Sequence, residues 1–341
     1  MGKSLSTCTE PTPRWTGLQL DLLNACTSHC VYCGYPSWPK VRLAQEVIFS
    51  VLVQARELRF TSVSLSGGSP QLHPDFNDTI AMAQVLGMKV NVFTDGIAMK
   101  WDRLLARPDR MQFSIDVLDP AVYRKHRGVD KLDEAVNSVW ESCRRGIPTR
   151  IMSTVIPGDW IESLEVVRFV KEAVDRGLPL DHRLYMVHDY GEDVEPEAKK
   201  HVMYMVTEML HKYGKQPWHN LDQVLGLLAT SGEVYRPQRC YIPFLHRVVA
   251  ADGMIFGCCY ASGTNMPWDD IKEYRAQWSL GQVTVDDLQA FTRACEEPPD
   301  DVLKEYHLVR LGQACTACST VNSRYGELNA DWNQAGKPAF V

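Results

Sequence analysis

The sequence predicts an α/β chain: six strand-helix units on parallel strands, followed by a smaller α+β module with a β-hairpin. Three observations lead there. From Gly17 a short apolar run, a loop and a helical stretch recur, the rhythm of parallel strands joined by crossover helices. Asp252-Gly253 between two apolar runs favours a tight hairpin turn. A cysteine-rich loop follows the first apolar run directly, at the strand end where the active sites of parallel barrels collect.

Taken in order, strands are expected at Leu18 to Leu23, Ser62 to Ser66, Lys89 to Thr94, Met111 to Asp116, Arg150 to Val155 and His182 to Val187. Between the first two, Val47, Ile48, Val51, Leu52, Ala55 and Leu58 recur at helical spacing and would lie against a sheet. After Asp189 the rhythm stops. Glu192 to Tyr213 reads as a charged, Met-rich helix and Leu221 to Ala229 as a second, both connectors. Arg247 to Ala251 and Met254 to Cys258 are the arms of the hairpin. The expected division is a tail (1–16), a barrel (17–190), a helical connector (191–236) and a second module (237–341).

Apolar and charged content is that of a globular protein. The formal charge of -6 argues against nucleic acid as partner, since phosphate rewards clustered Lys and Arg. No stretch has the apolar length of a membrane span and the first twenty residues hold no signal-peptide core. A cytoplasmic enzyme is the expectation. Eleven cysteines are many for a compartment where disulfides are rare, so metal or thiol chemistry explains any patterned subset.

One subset is Cys26-Thr-Ser-His-Cys30-Val-Tyr-Cys33, a C-x3-C-x2-C spacing. Three thiolates leave one iron of a four-iron cluster without a protein ligand, whereas electron-transfer clusters usually take four. A three-cysteine zinc site with His29 as fourth ligand is the alternative. The loop resembles the cluster motif of the radical S-adenosylmethionine (SAM) superfamily, which implies a partial (β/α)6 barrel, SAM chelated at the open iron, and Tyr32 beside the adenine. Ser66-Gly67-Gly68-Ser69-Pro70 resembles the family's GGEP element, implying that Gly67, Gly68 and Ser69 meet the SAM amino group; Ser69 stands where the family has Glu. Phe93-Thr94-Asp95-Gly96 resembles its "TNG" passage, with Asp95 in the Asn place. Ser114-Ile115-Asp116, with His126, Arg127 and Gly128 beyond, resembles "S-x-D … H-x-x-x-R-G". The resemblance puts Thr94 and Ser114 at SAM, and Ser153 ahead of its neighbour Thr154, with Arg150 one layer deeper. Taken singly, each of these is also an ordinary turn, cap or strand hydroxyl. Arg183, Tyr185 and His188, with Asp189, gather near the end of the sixth strand, where substrate should sit.

A second subset is Cys240, Cys258, Cys315 and Cys318. It resembles the auxiliary-cluster module called twitch, a shortened SPASM domain, with Gln282 for Asn in that module's turn. This implies a second 4Fe-4S cluster, with zinc as the alternative. Cys259 is either a ligand in place of Cys258 or a hydrogen-atom donor. Cys8, Cys143 and Cys295 follow no pattern. The implied activity is reductive cleavage of SAM to a 5'-deoxyadenosyl radical, with electrons from a reductant such as flavodoxin or ferredoxin, and hydrogen abstraction from a small-molecule substrate. Sixteen residues before Gly17 leave no room for a leader-binding domain, favouring a sugar, aminocyclitol or nucleoside, of the kind met in antibiotic biosynthesis, over a peptide. A metal-binding scaffold without turnover is the reading outside enzymes.

Overall fold

The computed structural model describes residues 17–156, 159–186, 196–222, 224–225, 246–257, 259, 262–263 and 266–296. Its elements alternate as expected: β1 (Gly17–Leu23), α1 (Gln45–Glu57), β2 (Ser62–Gly67), α2 (Phe76–Val85), β3 (Lys89–Thr94), β4 (Arg110–Ser114), α3 (Pro120–Arg127), α4 (Leu132–Arg144), β5 (Thr149–Val155), α5 (Trp160–Asp175) and β6 (Leu180–Met186). There follow α6 (Pro196–Tyr213), β7 (His246–Val249), β8 (Ile255–Phe256), α7 (Trp268–Trp278) and α8 (Ala290–Glu296).

The strands form one sheet in the order β6-β5-β4-β3-β2-β1-β7-β8, every neighbouring pair parallel except β7 and β8. This is an α/β fold of the partial-barrel kind. The hairpin is present, yet its first strand pairs with β1 through Gly17↔His246 to Leu20↔Val249. The hairpin therefore extends the barrel's sheet instead of standing apart from it. The proposed start of a second module at 237 lies outside the described residues.

Side chains alternate across each strand, and the two parities differ in chemistry. Leu18 and Leu20, Val63 and Leu65, Val90 and Val92, Met111 and Phe113, and Ile151 are fully buried. They join the apolar stripes of the crossover helices, such as Val47, Ile48, Val51, Leu52 and Ala55 of α1, in one core. The opposite parity is polar. In-register pairing puts Gln112, Arg150 and Asp181 in one tier, Ser114, Met152 and Arg183 in the next, and Thr154 and Tyr185 above them. Among the described residues no helix is long and apolar enough to cross a membrane.

Candidate functional site

Residues 24–34 leave the C-terminal end of β1 as a loop held from two sides. On one side β2 runs on beyond the β1 ladder: Gly68 N donates to Leu23 O at 2.7 Å and Ser69 N to Ala25 O at 2.9 Å. Gly67 has φ 111, and a Cβ on Gly67 or Gly68 would overlap the carbonyl of Leu23 or Ala25. Glycine is required here for the approach of two backbones. On the other side stands the end of α3. Asp119 caps its start, accepting from Ala121 N and Val122 N at 2.9 Å, and Gly128 ends it in the left-handed conformation at φ 69. The last carbonyls of this helix hold the loop, with His29 N donating to Arg127 O at 2.8 Å and Val31 N to His126 O at 3.0 Å.

Two buried carboxylates complete the frame. Asp116, just past β4 and 0% exposed, accepts from Arg127 Nη2 at 2.7 Å, Tyr32 Oη at 2.7 Å and Thr154 N at 2.8 Å. Arg127 Nη1 also donates to Cys30 Sγ at 3.5 Å, and its guanidinium lies 5.6 Å from the Tyr32 ring centre. Asp95, 6% exposed, accepts at Oδ2 from Ser28 Oγ at 2.9 Å, Ser69 Oγ at 3.0 Å and the Thr27 hydroxyl. Its Oδ1 accepts from Gln71 Nε2 at 3.0 Å and Ile97 N at 3.1 Å. Cys26 Sγ is 3.9 Å from Oδ2.

The donor set fits an iron-sulfur cluster. Burial pushes the thiols of Cys26 and Cys30 up, and that of Cys33 to about 12. Without a bound cation all three are held as neutral thiols, and metal binding releases their protons. Donors already address the sulfurs: Ser69 Oγ lies 3.3 Å and Ser28 N 3.4 Å from Cys26 Sγ, beside the Arg127 contact to Cys30. Such hydrogen bonds help set cluster potentials. The buried Tyr123 Oη and Arg127 Nε have no hydrogen-bond partner among the described residues. Both sit within electrostatic reach of Cys30, where an acceptor-rich group would satisfy them. His29, the fourth ligand of the zinc alternative, is exposed.

The remaining expected residues are placed less uniformly. Ser114 is half-buried at the end of β4, on the polar parity. Thr94 is buried on the core parity, its hydroxyl donating to Gln71 Oε1 and accepting from Gly96 N, both at 2.9 Å; it braces the strand-end turn instead of offering a group to SAM. The preference for Ser153 over Thr154 is corrected in the same way. Ser153 shares the parity of Ile151 and Val155, is fully buried, and donates to Ile115 O at 2.6 Å while meeting His182 Nε2 at 2.8 Å. Thr154 takes the parity of Arg150, which does lie a layer deeper, bonded to Asp181. Ser69 is 0% exposed, and its hydroxyl is turned onto the loop, with Thr27 N at 3.0 Å and Thr27 Oγ1 at 2.8 Å. Arg183 donates to His182 O at 2.7 Å and Pro217 O at 3.1 Å, one tier below Tyr185. Cys259 is exposed, and Cys143 and Cys295 are buried. Cys8, His188, Cys240, Cys258, Cys315 and Cys318 lie outside the described residues.

One contributor escapes sequence reading. The segment before α7 closes over the exit of the loop: Trp38 Nε1 donates to Met266 O at 2.9 Å and Trp268 N to Ser37 Oγ at 3.0 Å. A Cβ on Gly34 would overlap the Met266 carbonyl. Arg275 of α7 is buried, with Nη2 2.5 Å from Asp252 Oδ2 and the guanidinium 4.5 Å from the Trp38 ring centre. On β1 the fully buried Asp21, bonded to Gln19 Nε2 at 2.8 Å and Tyr35 Oη at 3.2 Å, is pushed up to about 6 by burial, against the lowering effect of those bonds and of Arg275. A lone acid within an apolar strand was the available signal.

Comparison with known proteins agrees with this geometry. Residues 21–179 match the family model described as the Radical SAM superfamily. The chain is 37% identical over 112 residues to a PqqA peptide cyclase of Streptomyces rochei, covering 31% of each. It is 27% identical over 152 residues to a probable GTP 3',8-cyclase of Thermococcus kodakarensis, covering 42% of this chain and 48% of that one. The chain thus spans less than half the length of either relative. Among solved structures, SuiB of Streptococcus suis bound to S-adenosylmethionine superposes with a TM-score of 0.61 at 15% identity, over 90% of this chain and 69% of that one. The enzyme anSMEcpe with bound AdoMet superposes with a TM-score of 0.58 at 13% identity, over 94% and 96%. These two likenesses are of fold alone. With the three-thiol loop at the C-terminal ends of its parallel strands and the family match across that barrel, this chain belongs to the radical SAM superfamily.

Proposed function

We propose that the chain modifies a small sugar, aminocyclitol or nucleoside by hydrogen abstraction, in chemistry of the kind met in antibiotic biosynthesis. The observation that carries the radical part is the loop of Cys26, Cys30 and Cys33, framed without metal and already addressed by donors. These cysteines would hold the cluster, with SAM at the iron they leave open. When bound, cluster and SAM supply an electron and a 5'-deoxyadenosyl radical. Arg127 and Asp116 fix the loop's far side; Gly67 and Gly68 fix its near side.

Support for a small polar substrate comes from the inner face of β4 to β6. Arg110, Arg150 and Arg183 all lie within ion-pair range of one carboxylate, Asp181, the first at 2.9 Å and the last at 3.8 Å. Burial and neighbouring Arg150 hold the Arg183 guanidinium below its ordinary value. Three guanidiniums around one carboxylate favour a hydroxyl-rich or anionic molecule over an apolar one. Arg183, Tyr185 and His188 are proposed as substrate contacts, and Cys259 as a hydrogen donor. Cys240, Cys258, Cys315 and Cys318 are proposed to bind an auxiliary 4Fe-4S cluster in a twitch-type module, and flavodoxin or ferredoxin to deliver the electron. The second reading, peptide modification, is favoured by the named activity of the Streptomyces rochei relative.

The test is anaerobic. Protein reconstituted with iron and sulfide should hold about eight irons if two four-iron clusters form, and should release 5'-deoxyadenosine with a strong reductant. Changing Cys26, Cys30 and Cys33 to Ala must abolish that release. Deuterium passing from a labelled sugar, aminocyclitol or nucleoside into 5'-deoxyadenosine supports the small-substrate reading; transfer only from a peptide replaces it with the second.

A further inference from the structure

Two departures from the family's motifs, twenty-six positions apart in the chain, meet in space. Position 69 has lost a carboxylate, Ser standing for Glu, and position 95 has gained one, Asp standing for Asn. Ser69 Oγ lies 3.0 Å from Asp95 Oδ2. Both side chains touch the same target, Ser69 Oγ at 3.3 Å and Asp95 Oδ2 at 3.9 Å from Cys26 Sγ, and both bind the Thr27 hydroxyl. Every donor to Asp95 given above is neutral: hydroxyls, an amide and a backbone N–H.

We infer that Ser69 and Asp95 are an exchanged pair, Asp95 being the positioning residue that supplies the one negative charge this corner of the cluster and SAM site requires. The geometry explains why one carboxylate and one hydroxyl are the workable combination. Two carboxylates at hydrogen-bond distance repel unless they share a proton. Two neutral groups would leave the Thr27 and Ser28 hydroxyls without a charged acceptor, and charge-assisted bonds are about twice as strong as neutral ones. A hydroxyl at 69 serves a further purpose: it accepts from Thr27 N at 3.0 Å and passes its own proton on, linking the loop's backbone to Asp95. The charge beside Cys26 opposes adding an electron to the cluster, which keeps its potential low, and it favours the cationic amino end of SAM.

The inference rests on the radical SAM reading, and its test separates the two. Asp95→Asn, Ser69→Glu and the combined Ser69→Glu/Asp95→Asn are compared with the unchanged protein, all reconstituted anaerobically, for midpoint potential of the three-cysteine cluster and for SAM affinity. Asp95→Asn should raise the potential and weaken SAM binding about fivefold to tenfold, a charged hydrogen bond giving way to a neutral one. Ser69→Glu should lower iron content. The combined variant should recover potential, affinity and iron towards those of the unchanged protein. Comparison with Ser69→Glu alone keeps the test valid if Asp95→Asn fails to assemble. A combined variant no better than the poorer single variant overturns the exchange. Failure of the unchanged, cluster-loaded protein to bind SAM overturns the radical SAM reading instead.

Discussion

Asp116→Asn is expected to destabilise the apo-protein and to loosen its hold on iron. The substitution keeps size and shape, so it leaves no cavity; it removes charge. Asp116 is fully buried and pairs with Arg127, which is itself nearly fully buried. Removing one partner of a buried pair costs about 3–5 kcal/mol, because the other charge is left uncompensated. Unfolding entropy near 2.1 cal/mol/K per residue, over 341 residues, gives roughly 0.7 kcal/mol per degree, so the expected fall in Tm is about 4–7 °C. The functional consequence follows from what else Arg127 holds. Its carbonyl fixes His29 N and its guanidinium reaches Cys30 Sγ, so a displaced Arg127 frees the middle of the ligand loop. Calorimetry of the apo-protein and iron content after gel filtration read the two effects. The combined Asp116→Asn/Arg127→Gln variant should be more stable than Asp116→Asn, since it removes the orphaned charge. A single variant melting within about 1 °C of the unchanged protein, against the several degrees that loss of a buried charge partner requires, would refute the reasoning. So would a combined variant in which the losses simply add.

Gly34→Ala drives a methyl into the Met266 carbonyl, so it should part the 266–268 segment from the loop and lower iron retention beside Cys33; iron and sulfide analysis checks it, with Gly177→Ala, where a Cβ meets nothing, as the reference. Ser153→Ala should cost about 1–3 kcal/mol by leaving buried Ile115 O and His182 unsatisfied, measured by denaturant unfolding, while SAM affinity stays within about twofold of the unchanged value because the hydroxyl faces the core. Asp21→Asn has a pH-dependent effect. The folded state raises this acid from 3.8 to about 6, so the native state binds the extra proton, and burial of the charge costs stability as pH rises through that window and fully above it. The variant should gain on the unchanged apo-protein between pH 4 and 6 and hold a constant advantage of up to about 3 kcal/mol above that; an advantage that shrinks with rising pH contradicts the assignment.

The strands were legible because each is a run of five to seven residues with one unbroken apolar parity, and Lys89–Thr94 is found with the expected bounds. Where bounds differ, a side chain has been drawn out of the ladder. Asp116 reads as the end of β4, yet pairing stops at Ser114, because Asp116 turns towards Arg127 and Tyr32. Parity was the weaker signal. In Ile151-Met152-Ser153-Thr154-Val155 both alternations contain apolar residues, so nothing local says which hydroxyl faces inward; only the pairing of Arg150 with Asp181 decides it. The partnership of β7 with β1, the closure of Met266 over Gly34 and the meeting of Ser69 with Asp95 are contacts between distant segments. Their participants could be listed from the sequence, but their pairing could not.

The framing of the ligand loop has a thermodynamic reason. In the absence of metal its three thiols are raised by burial, so they offer no charge to organise the loop, and a loop of this kind otherwise loses about 1–2 kcal/mol per residue in backbone entropy when ordered. Here the ordering is done by groups that are not ligands. Backbone bonds from Gly68 and Ser69 fix Leu23 and Ala25, those from the end of α3 fix His29 and Val31, and Asp95 fixes Thr27 and Ser28. Each cysteine therefore lies next to, or one residue from, a position already anchored. Cluster binding then has to deprotonate the thiols without also having to fold the loop, which is why loss of a buried partner such as Asp116 should register in iron retention as well as in melting.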